Sequence, residues 1–337
     1  MGYNILVTEP IPESNIKTLE KIGELTIGLQ GQFLSEETLI QVIPKYDALL
    51  CMLSTPVSRK VLEAGSKLKI VANFAVGYNN IDLSAARELG IHVANTPDVL
   101  TESCGDFTMG LLLATTRRFN KAEAYLREGH FKQWEPLGFL GMELSGKTLG
   151  IVGMGRIGQA FARRAKAFGM HILYHNRSPI DPSLIPDLDA RYVSSLEELA
   201  SRSDVLSLHC PLHPSTHHLI DEKILGLMPN HAILLNISRG PVVDEAALAE
   251  ALHNNTIGGA GIDVYEHEPR VHPRLLTAPN TTLLPHIASA THETREAIGA
   301  LAAEAIVGIL QQQPTSQISN LLTKDIGLES SSNLSGE

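Results

Sequence analysis

Along the 337-residue chain, short apolar runs alternate with stretches whose apolar residues return every three to four positions. One set of runs falls at residues 5–7, 48–53, 70–72 and 91–93, and a second at 148–152, 171–175, 205–208, 232–237, 261–264 and 282–284. Short runs that are apolar almost throughout suit strands covered on both faces, and the stretches between them carry the helical period. Such alternation predicts an α/β protein with doubly wound parallel sheets. Two longer helical patterns are expected, from Thr101 to Arg118 and from Glu293 to about Leu310, and Thr96-Pro97-Asp98 breaks the chain before the first. The expected division is therefore discontinuous. Residues 1–98 and 290–316 form one domain, 99–289 the other, and the polar, serine-rich 317–337 a loose tail.

The run at 148–152 leads into Gly153-Met154-Gly155-Arg156-Ile157-Gly158, and then into a helical pattern through Ala160, Phe161, Ala165 and Phe168. Strand, G-x-G-x-x-G turn, helix and second strand in that order are the pattern of a dinucleotide site. Gly153 allows the tight turn, Gly155 lets the backbone approach a pyrophosphate, and Gly158 brings the helix close to the strand. The N–H groups that open the helix attract phosphate. A second-strand acidic residue, about 20 residues past the glycines, usually binds the adenosine ribose hydroxyls. Here Asn176, Arg177 and Ser178 stand there instead. With no carboxylate to repel a 2′-phosphate and a guanidinium able to bind one, NADP(H) is the expected cofactor and NAD(H) the alternative.

Composition narrows the partners. A formal charge of −10 without a long basic cluster argues against nucleic acid and anionic membrane surfaces. Cys51, Cys104 and Cys210 are three widely spaced thiols with no C-x-x-C, so neither a disulfide framework nor a zinc site is expected, and a reducing cytoplasm fits. The N-terminus enters a strand without a basic region or cleavage site, and no apolar run is long enough to span a bilayer. His213, His217 and His218 have metal-like spacing but lie in a proline-containing loop, and no metal is expected.

Chemistry is expected at the carboxyl ends of the strands, where open α/β sheets bind ligands. Gly77, in the loop 73–82, frees backbone N–H groups for an anion, although a plain tight turn explains it equally well. Arg239 follows the run at 232–237, Glu268 the run at 261–264 and His286 the run at 282–284, so the three could meet in one crevice.

The glycine turn, Ser238-Arg239-Gly240, Glu268-Pro269 and Pro285-His286-Ile287 together resemble the D-isomer-specific 2-hydroxyacid dehydrogenases, most closely the glyoxylate and hydroxypyruvate reductases. The resemblance runs from about residue 3 to 315, and 73–82 and 95–101 add to it. It implies a Rossmann dinucleotide-binding domain and a flavodoxin-like substrate domain, with the active site in the cleft between them. It also implies reduction of a small 2-oxo acid to the D-2-hydroxy acid. Arg239 would grip the substrate carboxylate and carbonyl, His286 would be the acid/base, and Glu268 would hold the imidazole and favour its protonated form. Val76 and Gly77 would give N–H groups to the carboxylate, with Leu53 as an apolar wall. Cofactor contacts carried over are Thr101, Gly155, Arg156, Ile157, Asn176, Arg177, Ser178, Cys210, Thr216, Ile237 and Asp263, beside Gly153 and Gly158. A homodimer built around the helix after Thr101 is expected. In some glyoxylate reductases a partner-chain tryptophan closes the site, and Trp134 lies in the corresponding region. The alternatives are an NAD-dependent D-2-hydroxyacid or phosphoglycerate-type dehydrogenase and a dinucleotide-sensing protein without turnover. Asn176 counts against the first, and the full set of Arg239, Glu268 and His286 against the second. Formate dehydrogenases of this superfamily carry glutamine at the position of Glu268, which argues against that activity.

Overall fold

The structure is a computed structural model that describes residues 2–28 and 34–326. The chain forms two compact units, one up to Leu100 and again from Thr291, the other Thr101–Ala290. In the first, strands β1 (Tyr3–Val7), β2 (Gly23–Ile27), β3 (Ala48–Cys51), β4 (Ile70–Asn73) and β5 (His92–Ala94) pair in parallel in the order β2-β1-β3-β4-β5. That order is the flavodoxin-like one. Every residue of β3 and β4 is buried, which is why both read as unbroken apolar runs. β2 was not anticipated, because this edge strand is partly exposed and its residues Gly-Glu-Leu-Thr-Ile form no such run.

The helix His292–Leu310 packs on β3, β4 and β5, and Tyr3 donates its hydroxyl to the Leu310 carbonyl. The segment after it corrects the expectation of a looser end. Asn320 Nδ2 donates to the Asn95 carbonyl at 2.8 Å, Thr323 Oγ1 accepts the Val93 N–H at 2.9 Å, and Leu321 bridges Ala94. Residues 317–326 are thus tied to the β5 edge by buried groups that their polar composition conceals. Residues 327–337 of the expected tail lie outside the described residues.

The second unit holds seven parallel strands: β6 (Thr148–Val152), β7 (His171–His175), β8 (Arg191–Tyr192), β9 (Val205–Leu208), β10 (Ile233–Asn236), β11 (Gly259–Ile262) and β12 (Thr281–Leu283). Their order is β12-β11-β10-β9-β6-β7-β8, so strand order reverses between β6 and β9, the place where doubly wound sheets open a crevice. The expected count of about six omitted β8, two exposed residues long. The helix Thr101–Thr116 packs against the helix Arg156–Ala167, and Arg164 of the latter reaches Glu102 at 2.9 Å and Asp106 at 2.6 Å. A further helix, Phe119–Arg127, buries none of its residues, which is why the core pattern did not reveal it. Among the described residues, no helix is long and apolar enough to cross a membrane.

β11 lies so close beneath the Thr101–Thr116 helix that a Cβ on Gly261 would meet Leu111, Leu235 and Thr115 atoms at 2.8 Å each. Gly261→Val should therefore cost about 1–3 kcal/mol through overpacking. Urea unfolding measures it; an unchanged midpoint would show that the helix can give way.

Candidate functional site

The glycine turn has the geometry its spacing predicts. Gly153, at φ 94°, occupies backbone space that favours glycine, and a Cβ there would lie 2.7 Å from the Cys210 nitrogen. A Cβ on Gly158 would meet the Gly153 carbonyl oxygen at 2.5 Å, so the helix Arg156–Ala167 stands against its own strand. Around Gly155 the space is open to 4 Å, as a closely approaching ligand requires. Cys210, at the end of β9, is thereby placed beside the turn at the β6/β9 reversal; burial pushes its thiol up to about 11, so it stays protonated. Thr216 shapes the following loop, its Oγ1 donating to the Pro211 carbonyl at 2.8 Å and accepting the His213 N–H at 2.8 Å.

At the end of β7, Asn176 Oδ1 accepts the Met154 N–H at 2.8 Å. This amide oxygen is therefore occupied in holding the glycine turn, a role its position alone did not reveal. Arg177 and Ser178 are exposed beyond it, and Arg177 makes no ion pair among the described residues. A helix start, an open Gly155 and an exposed cation beyond β7 fit a nicotinamide dinucleotide.

The ends of β10, β11 and β12 bring the three expected polar residues together. His286 Nδ1 lies 2.9 Å from Glu268 Oε2, while Glu268 Oε1 accepts the Tyr265 N–H at 3.1 Å. Burial pushes the Glu268 carboxyl up. The hydrogen bond and charge of His286, the Tyr265 N–H and the Arg239 charge outweigh it and hold the group below its usual range. Arg239 is half-buried, and burial lowers its pKa while the Glu268 charge opposes that effect. Its guanidinium stays charged at any physiological pH. Ile237, buried in the same loop, and Thr101, opening the helix Thr101–Thr116, belong to this second unit as well.

Asp263 has a larger part than its spacing suggested. His286 has φ 56°, left-handed backbone that a non-glycine residue holds only when its surroundings impose it. Asp263 imposes it. Its carbonyl accepts the His286 N–H at 2.8 Å, Oδ1 accepts Ile287 N–H at 2.8 Å and Oδ2 accepts Ala288 N–H at 2.9 Å. Burial raises this carboxyl from 3.8 to about 6, against the two N–H groups and the His286 charge, which lower it.

In the first unit, Leu53 follows β3 and helps line a cavity of about 480 Å³ with Val57, Asn80 and Ile81. Val76 and Gly77 follow the adjacent β4 and do not line that cavity. Three asparagines fix their loop: Asn73 Nδ2 donates to the Gly77 carbonyl at 2.6 Å, Asn95 Nδ2 to that of Val76 at 2.8 Å, and Asn80 Nδ2 to that of Thr55 at 3.0 Å. Sequence reasoning marked this stretch without seeing that its amides were the clamps. His218 pairs with Glu266 and His217 stacks on it at 4.1 Å, and among the described residues no three His, Cys, Asp or Glu side chains are grouped to hold a metal ion.

Asp263→Ala would leave two N–H groups without acceptors and should cost about 2–4 kcal/mol at neutral pH. Because its folded pKa is raised, the wild-type chain gains stability as pH falls from above about 6 toward 4, and that gain should vanish in the variant. Urea titrations of both proteins at the two ends of that range would show it; parallel pH curves would mean that Asp263 does not titrate as described.

Known proteins resemble this chain in sequence and fold. Residues 109–288 match the family model described as D-isomer specific 2-hydroxyacid dehydrogenase, NAD binding domain. A glyoxylate reductase of Thermococcus litoralis is 44% identical over 330 residues, covering 97% of this chain and 98% of the relative. A solved structure from Thermus thermophilus superposes with a TM-score of 0.88 at 40% identity, covering 95% of this chain and 99% of that one. The NADPH-dependent glyoxylate/hydroxypyruvate reductase of Sinorhizobium meliloti, solved with NADP and malonate, superposes at 0.80 with 36% identity over 91% of this chain and 93% of its own. This chain belongs to the D-isomer specific 2-hydroxyacid dehydrogenase family.

Proposed function

We propose that this protein reduces glyoxylate or hydroxypyruvate to the D-2-hydroxy acid with NAD(P)H. The observation that carries this reading is the His286–Glu268 pair at 2.9 Å, set with Arg239 at the ends of three neighbouring strands. The glycine turn and the helix it opens would hold the pyrophosphate of a reduced nicotinamide dinucleotide, which would supply the hydride for the carbonyl carbon. Arg239 binds the carboxylate through its planar fork, and Val76 and Gly77 contribute backbone N–H groups. The carbonyl oxygen gains electron density as the hydride arrives, and His286, protonated, gives it a proton from Nε2. Glu268, held ionised against Nδ1, orients the ring and faces the positive charge that it carries before transfer.

The cofactor is NADPH in preference to NADH, with Arg177 and Ser178 taking the 2′-phosphate and the Asn176 Nδ2 assisting. The first unit supplies the substrate loops and the second the nucleotide site. The functional form is a homodimer: Phe119, Leu126, Phe131, Trp134 and Leu137 are exposed on the helix Phe119–Arg127 and the loop after it, an apolar surface suited to a second copy. Three buried free thiols suit the cytoplasm.

His286→Ala should lower kcat by about 10²- to 10⁴-fold with NADPH binding nearly unchanged. In Glu268→Gln the imidazolium loses its partner, so the reductive pH profile should retreat to lower pH. Initial rates of NADPH oxidation by glyoxylate across the neutral range decide both, and a glutamine variant with the wild-type profile would break the pairing.

Cofactor choice is tested separately. One charge-assisted contact is worth about 1.5–3 kcal/mol, so NADPH should lead NADH by roughly ten- to hundredfold in kcat/KM. Asn176→Asp with Arg177→Ala should reverse the order, since an aspartate still accepts from Met154 and also binds ribose hydroxyls. Equal efficiency of the two cofactors with the wild-type enzyme would remove Arg177 from the site.

A further inference from the structure

Asn236, the last residue of β10, is 1% exposed, and its side chain spans the whole loop that carries Arg239. Oδ1 accepts two donors from Ser238, the backbone N–H at 3.0 Å and the hydroxyl at 2.9 Å. Nδ2 donates to the Arg239 carbonyl at 3.0 Å. The main-chain carbonyl of Asn236 accepts the Asp263 N–H at 3.0 Å, so the residue also joins β10 to the strand end that fixes His286.

The consequence for Arg239 is direct. Its Nη1 donates to the Ser238 carbonyl at 2.6 Å, so the guanidinium rests on the peptide that lies between the two held by the Asn236 amide. Beyond it, Gly240 is pressed against the main chain of Tyr265, where a Cβ would lie 1.8 Å from the carbonyl carbon. The loop is therefore fixed at both ends, with the fork of Arg239 between them. A carboxylate at 236 could accept from Ser238 but not donate to the Arg239 carbonyl, and an aliphatic side chain would leave buried polar groups without partners.

We propose that Asn236 is a positioning residue for substrate binding: without touching the substrate, it sets where the Arg239 guanidinium meets the carboxylate. This rests on the reading of Arg239 as the carboxylate anchor. A displacement of about 1 Å in such a group costs on the order of a hundredfold.

The test is a double-mutant cycle on glyoxylate reduction with Asn236→Ala and Arg239→Ala, and with Ser238→Ala as a milder variant that removes only the hydroxyl. Asn236→Ala should raise the glyoxylate KM and the inhibition constant of oxalate by about 10- to 100-fold. The NADPH dissociation constant, read by fluorescence, should stay within about twofold if only the carboxylate anchor moves. Ser238→Ala should move the same constants the same way by less, and it keeps the proposal testable if Asn236→Ala fails to fold. In the Arg239→Ala background, either substitution should add little. Equal losses in both backgrounds, or NADPH binding lost in step with oxalate binding, would overturn the proposal and leave Asn236 as general support for the sheet. Wild-type kcat/KM retained in Arg239→Ala would instead overturn the reading of Arg239 itself.

Discussion

Three N–H groups in a row, from His286, Ile287 and Ala288, find their acceptors on Asp263, and the second unit's polar site depends on that arrangement. A loop leaving a strand end has no ladder to satisfy its N–H groups, and the bond of the Ala288 N–H is buried. Asp263 resolves the conflict with one carboxylate and one carbonyl. His286 is thereby kept in left-handed backbone, which aims its imidazole at Glu268. Glu268 is in turn fixed by the Tyr265 N–H of its own loop, so His286 is oriented from the neighbouring strand end and Glu268 from within its turn.

This explains why the parts of the fold differed in how readable they were. β9 and β10 announce themselves because all their residues are buried, and hydrophobic burial writes continuous apolar runs into the sequence. β2 has no fully buried residue, and the Phe119–Arg127 helix turns no residue to a core, so neither leaves that trace. The end of the described chain misled for the opposite reason. Ile318 and Leu321 are buried, and Asn320 and Thr323 beside them find their partners on Asn95 and Val93, at and just past β5.

The same holds for the site. Arg239, Glu268 and His286 were legible because each lies just past a strand, and a parallel sheet gathers such positions at one edge. What was not legible is the hydrogen bonding that aims them. Asp263 and its two N–H partners, and Asn176 with Met154, are more than 20 residues apart, and nothing in their local pattern couples them. Asn236 and Ser238 are near neighbours, but only the backbone path of the loop shows that the amide turns back on it.

The contact of Gly240 with Tyr265 bears on how such a protein can be altered. The two loops meet main chain to main chain, with no side chain between them to adjust when either one changes. They are a single mechanical part in two pieces. A graft from a relative that replaced the Arg239 loop alone would import a curvature cut to fit another Tyr265 segment. Transplants here have to carry 236–242 and 263–269 as a matched pair, and sequence drift in either is bound to be answered in the other.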